Sequence, residues 1–338
     1  MKKLISLICV LAMVLALAAC GSSAPAAATE APAASTEAPA EDVSADKTFV
    51  VGICQLVQHP ALDAATQGFK DALTEALGDK VTFQEQNASG DSATCSLICN
   101  QFVSDEVDLI MANATASIQA AASATNTLPI LGTSITDYGV ALGVDNWTGV
   151  SGTNISGTSD LAPLDGQAAM IQELFPDAKT IGLLYCSGEP NSIFQADSME
   201  ALLTDMGYSV ERYTFADSND VSSVTANACS NADVLYIPTD NTAASCTEAI
   251  NNVALSAGIP IVAGEEGLAS GCGVATLSIS YYDLGRATGE MAAEILTEGA
   301  DISTMEVRFA PAFTKEYNAD ICEALNITVP DDYVAIAK

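Results

Sequence analysis

Hydroxyl, amide and carboxylate side chains recur directly after the short apolar segments of this chain, and together they could bind a charged ligand. Hydroxyls and amides at the start of a helix can hold an anion, together with the free backbone N–H groups of its first turn. Carboxylates that face the same cleft can hold a cation, and a site with both kinds of group is what an amino-acid zwitterion requires. Each residue alone could equally be a helix cap. The residues are Gln55, Gln58, His59, Asn113, Thr115, Thr133, Ser134, Thr136, Asp137, Ser187, Glu189, Asn191, Ser192, Thr239, Asp240, Asn241 and Glu265.

The apolar segments that precede these residues predict buried parallel strands, and a predicted helix follows each of them. The first strand, over residues 49–54, leads into a helix over residues 60–77, in which Leu62, Ala65 and Phe69 recur at spacings of three and four. Further strands are expected at 81–86, 107–112, 129–131, 180–185, 209–213, 234–237 and 259–262, and further helices at 93–103, 115–124, 167–175, 192–206, 220–229, 242–257 and 282–297. This alternation predicts an α/β fold with parallel sheets covered on both faces.

The repetition of the strand–helix unit predicts two doubly wound parallel-sheet lobes joined by a multi-strand hinge. The Gly-, Ser- and Thr-rich passage at 149–159 is the expected first crossover between the lobes, and a second is expected near 274–280. The predicted N-terminal lobe comprises residues 48–156 and 278–302, and the C-terminal lobe comprises residues 157–277 and 303–338. Such a hinge would let one lobe rotate against the other. Open α/β sheets bind their ligands at the carboxyl ends of the strands, which here would face each other across the cleft.

Residues 1–19 have the features of a secretory signal peptide, because two lysines precede a mostly apolar run that ends in small residues. The sequence Leu17-Ala-Ala-Cys20 is the pattern of a bacterial lipoprotein signal, so Cys20 is expected to carry a lipid. A transmembrane anchor is the alternative, but the run is shorter than the ~20 residues that a span needs. Residues 20–47 are rich in Ala, Pro, Thr and Glu, which predicts a disordered tether. The protein is therefore expected outside the cytoplasm, held to the membrane only by its lipid.

The composition argues against several classes of partner. The chain of 338 residues carries 43 acidic and 11 basic residues, a net charge of −32, and such a surface repels nucleic acid and anionic lipid. Eight of the ten cysteines follow Cys20, mostly in apolar runs where cysteine packs as a small hydrophobic residue. His59 is the single histidine, and no pair of cysteines has the Cys-x-x-Cys spacing. No metal site and no cofactor are therefore expected.

An enzyme is the rival class to a binding protein. A Rossmann-type dehydrogenase requires Gly-x-Gly-x-x-Gly after its first strand, and no such cluster follows here. A serine or cysteine hydrolase requires a base, and His59 is the only imidazole. Paired carboxylates are the one catalytic arrangement left open. The expectation is a protein that binds a ligand without catalysis.

Four segments resemble one family, the ABC-transporter substrate-binding lipoproteins. Three directly follow or include the end of a predicted strand, one precedes a predicted helix, and the match runs from about residue 48 to 310 with its spacing intact. The segments are Gln55-Leu-Val-Gln-His-Pro-Ala-Leu-Asp63, Leu184-Tyr-Cys-Ser-Gly-Glu-Pro-Asn-Ser192, Tyr236-Ile-Pro-Thr-Asp240 and Tyr281-Tyr-Asp-Leu-Gly-Arg-Ala-Thr-Gly289. The resemblance implies the two-lobed type I periplasmic-binding-protein fold. It also implies a carrier that binds tryptophan, tyrosine or phenylalanine and delivers it to a membrane permease with a cytoplasmic ATPase.

The same resemblance implies roles for seven residues of the cleft. Asp240 and Glu265 are candidates for the ligand's ammonium group, and Thr115, Asn191 and Ser192 are candidates for its carboxylate. Gln58 and Asp137 are candidates to line the side-chain pocket or to help close the cleft. Outside these seven, Tyr138, Tyr185 and Tyr236 are placed to touch an aromatic ring, with packing in the core as the alternative. A sugar, a nucleoside or a signalling molecule is the alternative ligand, and a sensory receptor without transport is the alternative role.

Overall fold

The structure, a computed structural model, describes residues 47–337, so the predicted signal peptide, Cys20 and nearly all of the tether lie outside the described residues. Two sheets form the framework of this part of the chain. Their strands, in chain order, are β1 (Phe49–Gln55), β2 (Val81–Asn87), β3 (Leu109–Asn113), β4 (Ile130–Ile135), β5 (Ile155–Ser159), β6 (Thr180–Cys186), β7 (Ser209–Phe215), β8 (Val234–Ile237), β9 (Ile261–Ala263), β10 (Ala275–Ser278), β11 (Arg308–Phe309), β12 (Thr314–Tyr317) and β13 (Val334–Ala335). The first sheet has the order β11-β5-β4-β3-β1-β2, and the second has the order β13-β12-β10-β9-β8-β6-β7. All neighbouring strands are parallel except β10 and β12.

Helices connect the strands and cover the sheets. They are α1 (Pro60–Leu77), α2 (Ser92–Ser104), α3 (Thr115–Ala124), α4 (Tyr138–Leu142), α5 (Leu164–Leu174), α6 (Pro190–Asp205), α7 (Val221–Cys229), α8 (Asn241–Ala244), α9 (Thr247–Ala257), α10 (Glu266–Gly271), α11 (Tyr281–Glu298) and α12 (Ala319–Leu325). The predicted α/β architecture with two mostly parallel sheets is confirmed. The single helix expected over residues 242–257 is instead two helices, α8 and α9, which are separated at Ser245 and Cys246.

Both faces of the first sheet are buried at its strands β1, β3 and β4, as the mostly apolar sequences of these strands predict. Val51 and Ile53 of β1 pack with Phe69 of α1 and Met291 of α11. Cys54, the next residue of the same strand, lies in a second cluster that includes residues of α2 and α3. Successive strand residues therefore alternate between two helical layers, which is the period of two that a strand imposes.

Helices α1 and α11 pack unusually close together against the first sheet. A Cβ atom on Gly68 would lie 2.0 Å from the carbonyl oxygen of Tyr282, and one on Gly285 would lie 2.0 Å from the carbonyl oxygen of Ala65. No side chain fits between backbones at this distance, so glycine is required at both positions. This contact holds α11 in the first lobe, after the chain has built most of the second sheet.

The chain passes between the two sheets at residues 160–163, 279–280 and 310–313. The expected crossover at 149–159 is wrong, because residues 155–159 are strand β5 and pair with β4. Likewise β11, within residues predicted for the C-terminal lobe, pairs with β5 of the first sheet. The sequence of β5 does not look like a strand because it contains Gly157, at φ 143°. Glycine is required there, since a Cβ atom on Gly157 would lie 2.0 Å from the carbonyl oxygen of Gly132 on the neighbouring strand.

The eight cysteines among the described residues are free thiols, and six of them are buried. No group of three or more metal-ligating side chains is found in this part of the chain. None of the helices between residues 47 and 337 is both long and apolar enough to cross a bilayer.

Candidate functional site

A cavity of about 10 Å³ lies between the carboxyl ends of the two sheets, with room for roughly one water molecule. Its walls come from the loops that follow β1, β4 and β5 in the first lobe and β6, β8 and β9 in the second, together with the start of α11. The lining residues are His59, Leu62, Ser134, Thr136, Asp160, Asn191, Thr239, Asp240, Asn241, Ala244, Glu265 and Tyr281. The site therefore lies where open α/β sheets bind their ligands.

Asp240 lines the cavity and caps the short helix α8. One oxygen of its carboxylate accepts from the backbone N–H of Ala243 at 2.8 Å, and the other accepts from that of Cys186 at 2.6 Å. Burial, with the nearby carboxylate of Glu189, raises the pKa of Asp240 to about 8, although these N–H groups act in the opposite direction. Both oxygens thus have structural partners.

Glu189 is a second carboxylate at the start of α8, and it belongs to the Gly-Glu-Pro-Asn-Ser segment. Its oxygens accept from the backbone N–H groups of Asn241, at 3.0 Å, and Thr242, at 2.8 Å. The side chains of the same two residues also donate to it, at 2.7 and 2.8 Å. Glu189 therefore fixes the α8 loop against the loop that follows β6.

Glu265 caps helix α10 in the same way. Its two oxygens accept from the backbone N–H groups of Gly267 and Leu268, each at 2.5 Å. The side chain is buried, and burial raises its pKa to about 7 against the lowering effect of these two donors. Like Asp240, Glu265 reaches the cavity as a carboxyl group whose oxygens are already engaged.

Asp160 is the third buried carboxylate of the cavity, and it lies on the first crossing segment. One oxygen accepts from the hydroxyl of Tyr281 at 2.8 Å, whereas its Oδ1 atom has no hydrogen-bond partner among the described residues. Burial raises the pKa of Asp160, although the Tyr281 and Thr136 hydroxyls favour the charged form. Sequence reasoning does not find this residue, because β5, which directly precedes it, has a Gly-, Ser- and Thr-rich sequence that predicts a crossover and not a strand.

Ser134 brings a strained backbone and an unpaired hydroxyl to the cavity. Its φ angle is +56°, in the left-handed region, and it lies where the pairing of β4 with β5 shifts register. The hydroxyl is buried and has no hydrogen-bond partner among the described residues. Strain of this kind persists only where the surrounding structure enforces it, and it is concentrated at ligand sites.

Side chains of the two lobes touch directly across the cavity. The hydroxyls of Thr136 and Thr239 lie 3.2 Å apart, and Nε2 of His59 lies 3.3 Å from Oδ1 of Asn241. Burial lowers the pKa of His59, which favours the neutral imidazole, and its Nδ1 atom has no partner among the residues described. These contacts close the cleft over the cavity.

Three of the seven site residues predicted from sequence line the cavity, and four do not. Asn191, Asp240 and Glu265 line the cavity, and the Nδ2 atom of Asn191 donates to the carbonyl oxygen of Thr239 at 2.9 Å. The other four do not line it. Gln58 is exposed, Thr115 and Ser192 are buried at the starts of α3 and α6, and Asp137 caps α4 through the N–H of Val140. Roles in ligand binding for all seven remain predictions.

The three tyrosines proposed to touch an aromatic ligand lie outside the cavity lining. The hydroxyl of Tyr138 donates to the carbonyl oxygen of Gly132, and its ring stacks on Trp147. Tyr236 donates to Gln167, and Tyr185 accepts from Arg212. Tyr281 is the aromatic residue that lines the cavity instead. It begins the segment at residues 281–289 that resembles the family, but the sequence of this segment does not indicate that Tyr281 lines a cavity.

The sequence profile of the ABC transporter substrate-binding proteins matches residues 50–338. The chain belongs to this family. Membership assigns a binding role, as the sequence resemblance predicted, and the type I periplasmic-binding-protein fold is confirmed.

One relative of this substrate-binding protein is named for a ligand, and another has been solved with one. A protein of Clostridioides difficile named tyrosine-binding protein is 38% identical over 280 residues, which cover 82% of this chain and 81% of the relative. A Streptococcus pneumoniae domain solved in complex with L-Trp is 32% identical, with a TM-score of 0.80 over 84% of this chain and 97% of that one.

A further solved structure is similar to this chain. The ligand-free, open structure of a substrate-binding protein with adhesive properties from Clostridium difficile is 37% identical, with a TM-score of 0.66 over 86% of this chain and 99% of its own. In the present substrate-binding protein the two lobes touch directly, through Thr136 and Thr239 and through His59 and Asn241, so its cleft is closed.

Proposed function

We propose that this protein is the extracytoplasmic solute-binding component of an ABC importer and that its ligand is an aromatic amino acid, namely tryptophan, tyrosine or phenylalanine. The observation that carries the proposal is the likeness, over more than four-fifths of the chain, to one relative named for tyrosine and another solved with L-Trp. The function is binding, with no chemical change of the ligand.

The chemistry of the cavity supports a zwitterionic ligand. Three buried carboxyl groups, from Asp160, Asp240 and Glu265, are available to the ammonium group of the ligand. The hydroxyls of Ser134, Thr136 and Thr239 and the amides of Asn191 and Asn241 supply donors for a carboxylate. Tyr281, Leu62 and the ring of His59 supply the less polar contacts.

The closed form explains how binding is coupled to movement. A cavity of about 10 Å³ is far too small for an aromatic amino acid, so the ligand would enter an open cleft and the lobes would close around it less tightly than here. The Thr136 and Thr239 hydroxyls, which lie 3.2 Å apart across the cavity, would then exchange each other for the ligand. Contacts to both lobes favour the closed population, which a permease with its ATPase would recognise.

The proposed location rests on the N-terminal sequence, which lies outside the described residues. Removal of residues 1–19 and lipidation of Cys20 would leave the binding lobes on a tether at the membrane surface. Cys20→Ser should move the protein from the membrane fraction to the soluble extracytoplasmic fraction without changing ligand affinity. Retention of this variant in the membrane fraction would contradict the lipid anchor.

The ligand can be tested by calorimetric titration of the purified protein with the twenty amino acids, nucleosides and simple sugars. Saturable binding of tryptophan, tyrosine or phenylalanine, with a rise in the midpoint of thermal unfolding, is the expected result. Binding of a sugar or nucleoside alone would overturn the proposal. Loss of amino-acid uptake in cells without the gene would support transport, whereas normal uptake with intact binding would favour a sensory receptor.

A further inference from the structure

The three carboxyl groups of the cavity differ in how many of their oxygens already have partners. Each oxygen of Asp240 and of Glu265 accepts a backbone N–H, which makes both side chains helix caps. Among these three carboxyl groups, only Asp160 has an oxygen, Oδ1, with no hydrogen bond to the described residues, in a side chain that is 4% exposed, and the nearby Thr136 hydroxyl favours its charged form. Asp240 and Glu265 each keep lone pairs beside their backbone donors, but Asp160 has the most acceptor capacity left for a cation in the cavity.

The position of Asp160 in the chain is as informative as its free oxygen. It is the first residue after β5, so it opens the first of the three segments that pass between the sheets. Its backbone N–H donates to the carbonyl oxygen of Ile135 at 3.2 Å, which ties it to the end of β4 beside Thr136. Asp160 is thus fixed at the junction of the hinge and the cavity.

Tyr281 connects Asp160 to a second crossing segment. It is the first residue of α11, directly after residues 279–280, and its hydroxyl donates to Oδ2 of Asp160 at 2.8 Å. The ring is buried and packs in one cluster with Ala65 of α1 and Leu284 of α11. The hydrogen bond between Tyr281 and Asp160 therefore connects two crossing segments in the lining of the cavity.

We propose that Asp160 receives the ammonium group of the ligand and that Tyr281 is a positioning residue which holds the Asp160 carboxylate and links it to the second crossing segment. The inference rests on the proposed amino-acid ligand and names the residue that selects for its amino group. It differs from the assignment made from sequence, in which Asp240 and Glu265 bind the ammonium. The amino group would then be bound at the hinge itself, where a small displacement changes the angle between the lobes.

The test compares L-tyrosine with 3-(4-hydroxyphenyl)propionate, the same molecule without its amino group, by calorimetry on the purified protein. In Asp160→Asn, we expect the affinity for tyrosine to fall on the order of 100-fold, because one partner of a buried charge pair is neutralised. The affinity for the deaminated analogue should change by less than about 3-fold, because that ligand has no ammonium to lose. Asp108→Asn, the same change in a carboxylate that pairs with Lys47 at the opposite end of the sheet, should affect neither ligand.

Tyr281→Phe separates positioning from direct binding. The variant keeps the ring and the Asp160 carboxylate, so tyrosine affinity should fall only roughly 5-fold, as for one neutral hydrogen bond, while preference for the amino group persists. Tyr213→Phe, which removes a tyrosine hydroxyl bonded to Glu211 on β7, is the matched control. A loss of that preference in Tyr281→Phe as complete as in Asp160→Asn would overturn the positioning role.

The outcomes distinguish this inference from the function on which it rests. If the unmodified protein binds tyrosine and Asp160→Asn binds it equally well, or loses both ligands equally, the role of Asp160 is overturned while the proposed function stands. If the unmodified protein binds no amino acid, both fail. Should Asp160→Asn not fold, a crystal structure of the unmodified protein with tyrosine decides. An ammonium nitrogen within hydrogen-bond distance of Asp160 Oδ1 supports the proposal, and one that contacts only Asp240 or Glu265 overturns it.

Discussion

At the scale of single residues, Ser134 lowers the stability of the protein while it places a hydroxyl in the lining of the cavity. A residue other than glycine in the left-handed region costs roughly 1–2 kcal/mol, and a buried hydroxyl without a partner adds to that cost. Nothing else in the described structure uses this hydroxyl. We therefore expect the Ser134 hydroxyl to donate to the ligand, whose carboxylate needs hydrogen-bond donors.

Ser134→Gly should consequently make the ligand-free protein more stable and the complex weaker. We expect the free energy of unfolding to rise by about 1 kcal/mol in a denaturant titration, because glycine adopts φ +56° without strain. Affinity for the amino acid should fall roughly 5- to 10-fold, as for the loss of one hydrogen bond. Ser89→Gly, at φ +55° on an exposed turn, should give a similar gain in stability with unchanged affinity. Equal affinity in both variants would exclude a ligand contact at Ser134.

Residue types at strand ends could be predicted from the sequence, but their roles could not. The expectation that ligands bind at the carboxyl ends of the strands identified Asn191, Asp240 and Glu265, because these ends meet at one edge of a parallel sheet. It could not tell a ligand group from a helix cap, since the same side-chain oxygens serve both purposes. Asp160 was missed because hydroxyl- and glycine-rich β5 lacks the apolar pattern that identifies a strand.

At the scale of elements, the four-residue helix α8 depends on Asp240 as its N-cap. The sequence resemblance alone would predict that Asp240→Ala abolishes ligand-dependent stabilisation and leaves the fold intact. The structure predicts a structural cost as well, because the buried N–H groups of Cys186 and Ala243 would lose their acceptor. We expect the free energy of unfolding to fall by about 2 kcal/mol.

Chemical denaturation with and without the amino acid would measure this effect. Asp91→Ala removes the corresponding cap of α2, where the carboxylate is exposed, and should lower the free energy of unfolding less than Asp240→Ala, with no change in affinity. If Asp240→Ala unfolds at the same denaturant concentration as the unmodified protein yet no longer binds, Asp240 is a ligand contact rather than a cap.

The pairing of α1 with α11 is the second element on which the site depends, since α11 carries Tyr281 into the first lobe. Gly285→Ala should destabilise the protein by about 2 kcal/mol or more, because a Cβ atom would overlap the backbone of Ala65. The midpoint of thermal unfolding reports this directly. Gly188→Ala is the matched control, since a Cβ there would meet its nearest neighbour at an ordinary 3.6 Å. Equal midpoints for the two variants would mean that α11 shifts to accommodate a side chain.

At the scale of the whole molecule, closure gathers buried carboxyl groups into a cavity without a cationic side chain in its lining. Burial raises the pKa of Glu265 to about 7 and that of Asp240 to about 8, so both are largely neutral in mildly acidic solution. Since an ammonium group among them favours their charged forms, the ligand supplies the positive charge that the protein lacks. The stability of the protein without ligand should therefore depend more strongly on pH than the stability of its complex with the amino acid.

The ligand-free protein should lose stability as the pH rises from about 5 to 8. A carboxyl group whose pKa is higher in the folded than in the unfolded chain binds its proton more tightly when folded. Its contribution is therefore complete below the unfolded pKa near 4.5 and disappears as the pH passes the folded value of about 7. For Glu265 alone the free energy of unfolding should fall by up to about 3 kcal/mol over this range.

Denaturant titrations at intervals of one pH unit would measure this fall in the free energy of unfolding. Glu265→Gln, which keeps a capping oxygen but does not titrate, should show a shallower decline, and saturating amino acid should reduce the decline in the unmodified protein. A stability that stays level or rises between pH 5 and 8 without ligand would show that these carboxyl groups are already charged in the folded protein.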